Sequence, residues 1–295
     1  MSISTEIATM DDATMLAAFQ ARFADSESDN NNNTSNSLGR LRITRDNVED
    51  MSGDIISPAG SFCLYINGDN IYARTIKFRY YDHRWRYKRY DPGADRKNKD
   101  GSVSKGSYIH SVLVESERDE APSEDGSFQC GRPSEYIHDW NSLSKDRQEF
   151  IRSCRLMTIF YGEVSIVGVN QDGEEVDKVQ VPVEFELSSK TSGKSLRRFY
   201  HDMSSRRGLS PNGSDVTLKP KKISGGVTYY DLDVSLLDDP AYKIDDHSKE
   251  VYTRFSDHIV QINKWVMDKH NGNLAPSGVY KDVSGDVSAS FVDVS

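Results

Sequence analysis

The sequence predicts an α+β fold with a mostly antiparallel sheet or small open barrel. Three observations predict it. Strand-like runs outnumber helical ones, they arrive in pairs joined by tight-turn signals, and amphipathic helical segments interrupt the pairs instead of following every strand.

In chain order, residues 9–23 put Met15, Leu16, Phe19 and Phe23 on one stripe, the pattern of a short helix. SESDNNNNTSNS (26–37) has nothing to bury and reads as a flexible linker, so the folded part begins near Leu38. SFCLYI and IYARTIKFRY flank NGDN (67–70), whose Asn-Gly signals a hairpin. Within 71–91, Tyr72, Ile76, Phe78 and Tyr80 alternate onto one face, with Lys77 and Arg79 on the other. Beyond 81–83 the phase flips: Trp85 and Tyr87 share one face, and Arg84, Arg86 and Lys88 the other. A turn or bulge at 81–83 explains the shift, and each strand keeps an apolar side for a core and a basic side for the outside.

Residues 93–107 read as a polar loop, 108–116 as a strand and 123–137 as an irregular segment. A helix over 142–157 is capped by Ser144 and carries Phe150, Ile151 and Cys154 at helical spacing. A second hairpin turns at NQDG (170–173), and Pro182 places at least part of its second strand at a sheet edge. A helix over 191–207 aligns Leu196, Phe199, Tyr200 and Met203 and stops at Arg206-Arg207-Gly208. A third strand pair surrounds SGG (224–226). A long helix over 246–270 carries Val251, Phe255, Ile259, Ile262 and Val266. The chain thus divides into a helix and linker (1–37), a folded domain (38–271) and a mildly acidic tail (272–295).

Forty-six acidic against 37 basic residues give a net charge of −9, which by itself opposes a simple nucleic-acid binder. Distribution outweighs the sum. Residues 71–99 gather ten lysines and arginines, and 190–222 gather nine against Asp202 and Asp215. No apolar run reaches the length of about 18 residues needed to span a membrane. The start, MSISTEIATMDDATML, has no basic stretch before an apolar one, so no secretory leader is expected. Cys63, Cys130 and Cys154 form no CxxC pair, which suits a reducing compartment, so the expected location is the cytoplasm.

Catalytic signatures are missing: there is no GxxxxGK[ST], no GxSxG and no HExxH, so no enzyme is expected. Asp231 and Asp233 share a strand face and offer a Mg²⁺ site, but paired acids on an exposed face are common. His110, Cys130, His138 and Cys154 have zinc-ligand chemistry without tight-pair spacing, and a buried inert thiol is the commoner role for Cys154. No metal or cofactor is expected. FQCGRPSEY (128–136) reads as a turn anchored by Phe128 in preference to a functional loop.

Single-stranded nucleic acid exposes a charged backbone and unstacked bases together, and a binder meets it with cations along a groove and rings as platforms. The strand at 71–91 holds five arginines, two lysines, five tyrosines, a phenylalanine and a tryptophan. The candidate contacts are Arg74, Lys77, Arg79, Tyr80, Tyr81, Arg84, Trp85, Arg86, Tyr87, Lys88 and Arg89, extended by Lys194, Arg197 and Arg198. Lys219, Lys221 and Lys222 continue the track, and Arg206 and Arg207 border it. Ile76 and Phe78 read as core. Trp85, Tyr87 and Tyr90 stay open between core and platform.

PAGSFCLYING…IYARTIKFR…YKRYD (58–91), GSFQCGR (126–132) and IFYGEVSIVG together resemble the single-stranded-DNA-binding proteins of tailed bacteriophages over about residues 38–240. The resemblance implies an OB-like barrel, single-stranded DNA as partner, a host-cytoplasm location, and an acidic tail that contacts replication proteins. The tail here departs from that pattern, with Asp282, Asp286 and Asp293 only, and Phe291 near its tip. The alternative is a viral structural or host-interaction protein that binds no nucleic acid.

Overall fold

The computed structural model describes residues 38–50, 53–91, 106–131, 140–224, 229–241 and 244–273. In chain order they form β1 (Gly39–Ile43), the short pair β2 (Val48–Glu49) and β3 (Ile55–Ser57), β4 (Phe62–Ile66), β5 (Asp69–Ala73), β6 (Ile76–Asp91) and β7 (Ser107–His110). The short pair β8 (Ala121–Pro122) and β9 (Gln129–Cys130) follows, then helix α1 (Lys145–Ser153), β10 (Arg155–Val169) and β11 (Glu175–Ser188). Helix α2 (Ser192–Arg207), β12 (Ser214–Ile223), β13 (Tyr229–Ala241) and helix α3 (Asp246–Asn273) complete them. The expected helix at 9–23, the linker and nearly all of the tail lie outside the described residues.

A nine-stranded sheet dominates, in the order β11-β1-β4-β5-β10-β6-β12-β13 with β7 on β6. Its ladders are antiparallel except β1–β11. Because β11 pairs with β10 as well as β1, the hydrogen bonding returns on itself through β1, β4, β5, β10 and β11. The α+β class is as expected. No helix among the described residues is long and apolar enough to cross a membrane.

Local chemistry explains the joints. Asn67 and Gly68 take φ of 52° and 96°, the left-handed pair that a two-residue hairpin turn requires. Ser144 Oγ accepts the Arg147 N–H at 3.2 Å and starts α1. That helix ends earlier than expected: Cys154 is extended and β10 begins at Arg155, so Leu156 and Met157 belong to a strand. Gly208, at φ 62°, ends α2. The Glu175–Val181 part of β11, before Pro182, pairs only with β10 and forms the expected edge.

The phase flip in the basic segment is a bulge inside one 16-residue strand. Tyr80 lies opposite Gly162 and Asp82 opposite Tyr161, so Tyr81 is the extra residue. A Cβ at Gly162 would run into the Arg79 carbonyl and the Phe78 ring. Around the bulge β6 supplies all three apolar cores. Phe78 joins the largest, with Phe62, Phe160, Phe185, Leu196 and Met203. Tyr81 packs with Ile159, Tyr161, Val251 and Phe255 under α3, and Tyr87 with Phe128, Cys130, Ile151 and Val266.

Candidate nucleic-acid interface

Residues opposite one another in a ladder share a face. On one side of β6, Lys77, Arg79, Arg84, Arg86 and Lys88 lie across from Ser165, Glu163, Ile159, Met157 and Arg155 of β10. The next strand, β11, brings Glu184 and Glu186 across from Tyr161 and Ile159. Carboxylates from distant segments therefore reach the basic side. Arg79 is bidentate on Asp215, at 2.7 and 3.0 Å, and 3.8 Å from Glu163. Arg84 donates to Asp82 at 2.7 Å, and Arg86 and Lys88 share Glu186. Arg89 lies 3.9 Å from Asp125, with its guanidinium 4.8 Å over the Phe150 ring.

The expectation that the basic residues face outward is corrected for Arg79, Arg84, Arg86 and Lys88 on this side and for Arg89 on the other, whose side chains are only 11–16% exposed. Helix α3 crosses the first of these sides, placing His247 Nε2 at 2.8 Å from Glu163 and His258 Nε2 at 3.5 Å from Glu184. Burial would raise the Glu186 carboxyl, but Arg86 and Lys88 together hold it below its ordinary value. Tyr81 Oη donates to Glu163 Oε2 at 2.7 Å, and burial followed by that bond pushes the phenol well above its usual range.

The rings of this strand are mostly interior. Tyr80 stacks on Tyr200 of α2 at 4.6 Å, with its hydroxyl 2.7 Å from His83 Nδ1. Trp85 has His83 at 4.5 Å and the Arg197 guanidinium at 5.7 Å. Arg197 in turn bonds Thr158 Oγ1 and the Ser189 carbonyl. Tyr87 is buried and donates to the Glu117 carbonyl at 3.1 Å. Tyr87 is therefore core, Trp85 is half-buried between His83 and Arg197, and Tyr90 is exposed. Burial, then Arg197, pushes His83 down to about 3, and burial, then Arg86, pushes His110 down to about 4.

Of the fourteen candidates, Arg74, Lys77, Lys194 and Arg198 are exposed. Arg198 and Arg206 share Asp202, at 3.9 and 3.4 Å. The two basic islands do meet: α2 packs on β6 through Tyr200 and Arg197, and β12 pairs with β6. Lys77 faces Thr217 and Ile76 faces Leu218, so Lys219 and Lys221 continue along β12 toward Arg74. Arg74, Lys77, Lys219, Lys221 and Lys222 are exposed, and no carboxylate among the described residues reaches them at ion-pair distance. Asp233 and Asp231 lie across from Lys219 and Lys221 on β13, and Asp231 accepts Ser195 Oγ at 3.0 Å. Tyr229, opposite Ile223, is an exposed ring at this end.

Sequence reasoning missed Tyr108 and Tyr229 as exposed rings and Glu163, Glu184 and Glu186 as partners of the basic side. Of the zinc candidates, His138 lies outside the described residues, and no three His, Cys, Asp or Glu among those described group as metal ligands. Cys130 and Cys154 share one core, where the hydrogen bond from Cys154 and then burial raise the Cys130 thiol. No family model, curated protein or solved structure matches the chain.

Proposed function

We propose that this protein binds single-stranded DNA without sequence preference and without catalysis, protecting replication or recombination intermediates of a virus in the host cytoplasm. An OB-like barrel through β1, β4, β5, β10 and β11 belongs to the same proposal, supported by the pairing that returns from β11 to β1. So does a contact between the tail and replication proteins. The β6–β12 ladder carries the reading. It joins the two basic islands at one sheet end, where five exposed cations outnumber two aspartates. The interface on this reading sits at the start of β6 and on β12; Arg79, Arg84, Arg86 and Lys88 in the middle of β6 serve the fold.

Anisotropy titration of a labelled oligo(dT) at two salt concentrations tests it. Five phosphate contacts give a log–log salt slope of about −3.5, at ~0.7 per phosphate on a single strand. Absence of binding at low salt overturns the proposal. One observation favours the alternative, a structural or interaction protein: the densest basic stretch is neutralised internally. That reading expects indifference to oligonucleotides and a protein partner in a pull-down.

A further inference from the structure

We infer that the other end of β6 carries a base-stacking platform formed by Tyr90 and Tyr108, whose ligand is an unpaired nucleotide. The inference rests on the single-stranded-DNA reading and adds a site to it. Tyr90 and Tyr108 lie directly opposite on the β6–β7 ladder, next to the pair Lys88 and His110. They are 46% and 42% exposed, whereas Tyr72, Tyr80, Tyr81 and Tyr87 of the same stretch are buried or half-buried. Their centroids are 5.4 Å apart at 64°. In such an edge-to-face pair, the ring presenting its edge keeps both its faces clear of the other ring. Lys88 Nζ lies over one side of the Tyr108 ring, and the exposure of both tyrosines leaves π surface for a third ring. Gly106 fits the arrangement, because a Cβ there would collide with the Tyr90 hydroxyl end.

The charge beside the rings identifies the occupant. Lys88 Nζ lies 4.9 Å from the Tyr108 centroid. Arg86 and Lys88 have one carboxylate, Glu186, between them, and exposed Arg155 stands opposite Lys88 on β10. Glu124 also reaches this spot, accepting the His110 N–H at 3.1 Å, but Lys269 pairs with it at 2.9 Å, so Arg86, Lys88, Arg155 and Lys269 outnumber Glu186 and Glu124 next to two solvent-facing rings. A nucleotide matches both, its base against a ring and its phosphate against exposed Arg155, which stands opposite Lys88. An uncharged aromatic ligand would use only half of this arrangement.

The test is a cycle of two proteins and two probes: wild type and Y90A/Y108A, each titrated with fluorescein-labelled oligo(dT) and with an abasic oligonucleotide of equal length. The variant is expected to bind oligo(dT) more weakly by about tenfold or more per stacked base lost. On the abasic strand the two proteins should agree within about twofold, and the salt slope should stay unchanged because no cation is removed. Y90F/Y108F, which keeps the rings, should bind like wild type and so separates lost stacking from lost folding. If wild type binds oligo(dT) and Y90A/Y108A binds it equally well, the platform is wrong while the DNA-binding reading stands. A wild type that favours oligo(dT) no more than the abasic strand also removes the platform. A wild type that binds neither probe removes both.

Discussion

Glu186→Gln is the sharpest perturbation of the ionic layer on β6. It removes the carboxylate shared by Arg86 and Lys88, in a site where the three side chains are 14%, 16% and 24% exposed. Neither cation regains full hydration without moving. Breaking a buried ion pair costs about 3–5 kcal/mol, and an exposed one about 0.2–1 kcal/mol. These exposures place the site nearer the buried case, so the expected loss is about 2–3 kcal/mol. The sign of its pH dependence follows from the Glu186 carboxyl, which is held below its unfolded value of 4.5. Its contribution is complete above that value and drains away as pH falls through the folded-state value. The gap between wild type and E186Q should therefore narrow on acidification. Urea denaturation followed by circular dichroism at pH 7 and in the acid range measures both quantities. The triple replacement R86M/K88M/E186L, apolar throughout, should lie within about 2 kcal/mol of wild type or be more stable. A loss under about 0.5 kcal/mol for E186Q, the value of a solvated bridge, or a gap indifferent to pH, refutes the buried ionic layer.

The depressed histidines make stability fall between pH 6.5 and 4, because the unfolded chain takes up protons there that folded His83 and His110, at about 3 and 4, refuse. His83 alone accounts for about 2 kcal/mol by pH 5; thermal melts of wild type and H83Q should diverge in slope across this range, and parallel curves count against the argument. Gly162→Ala, forced against the Arg79 carbonyl and the Phe78 ring opposite the bulge, should cost roughly 1–3 kcal/mol in chemical denaturation, and a neutral substitution would show that the bulge can relax. Reversing two cations at the sheet end, in K77E/K219E, should weaken oligo(dT) binding and flatten its salt slope by about 1.4, two phosphates' worth; an unchanged slope places the phosphate track elsewhere.

What the sequence revealed was governed by near neighbours. The Asn67-Gly68 turn, the Ser144 cap, the Gly208 stop and the bulge near Tyr81 each follow from a few consecutive residues. The fate of the basic side does not. Alternation separates Lys77 and Arg79 from Ile76 and Phe78, but it cannot say whether a helix will cover either face. The acids that neutralise this side come from far along the chain: Asp215 is 136 residues from Arg79, and Glu186 is 100 from Arg86. Trp85 looks like a platform until α2 delivers Arg197 beside it. Tyr90 escapes that fate at the end of the strand, where its neighbour Tyr108 is exposed too. Leu156 and Met157 suit a helical or a strand period equally, so the sequence extends the helix over them, and pairing with Tyr87 and Arg86 makes them strand.

An acidic chain with a basic strand is thus less of a contradiction than its composition suggests, because β6 divides its cations by position. In the middle they pair with carboxylates beneath α3 and largely cancel. At its start they are exposed beside β12, and at its end exposed Arg155 of β10 adds a cation opposite Lys88. The two populations should answer salt differently. Solvated charges are screened over about 8 Å at physiological ionic strength, and buried pairs much less. Raising salt from about 0.05 to 0.5 M should then weaken oligonucleotide binding by some three orders of magnitude, from a slope near −3.5, while the urea midpoint scarcely moves. Should stability fall in step with binding, the central pairs are solvated after all, and β6 would offer one continuous basic track in place of two separate ends.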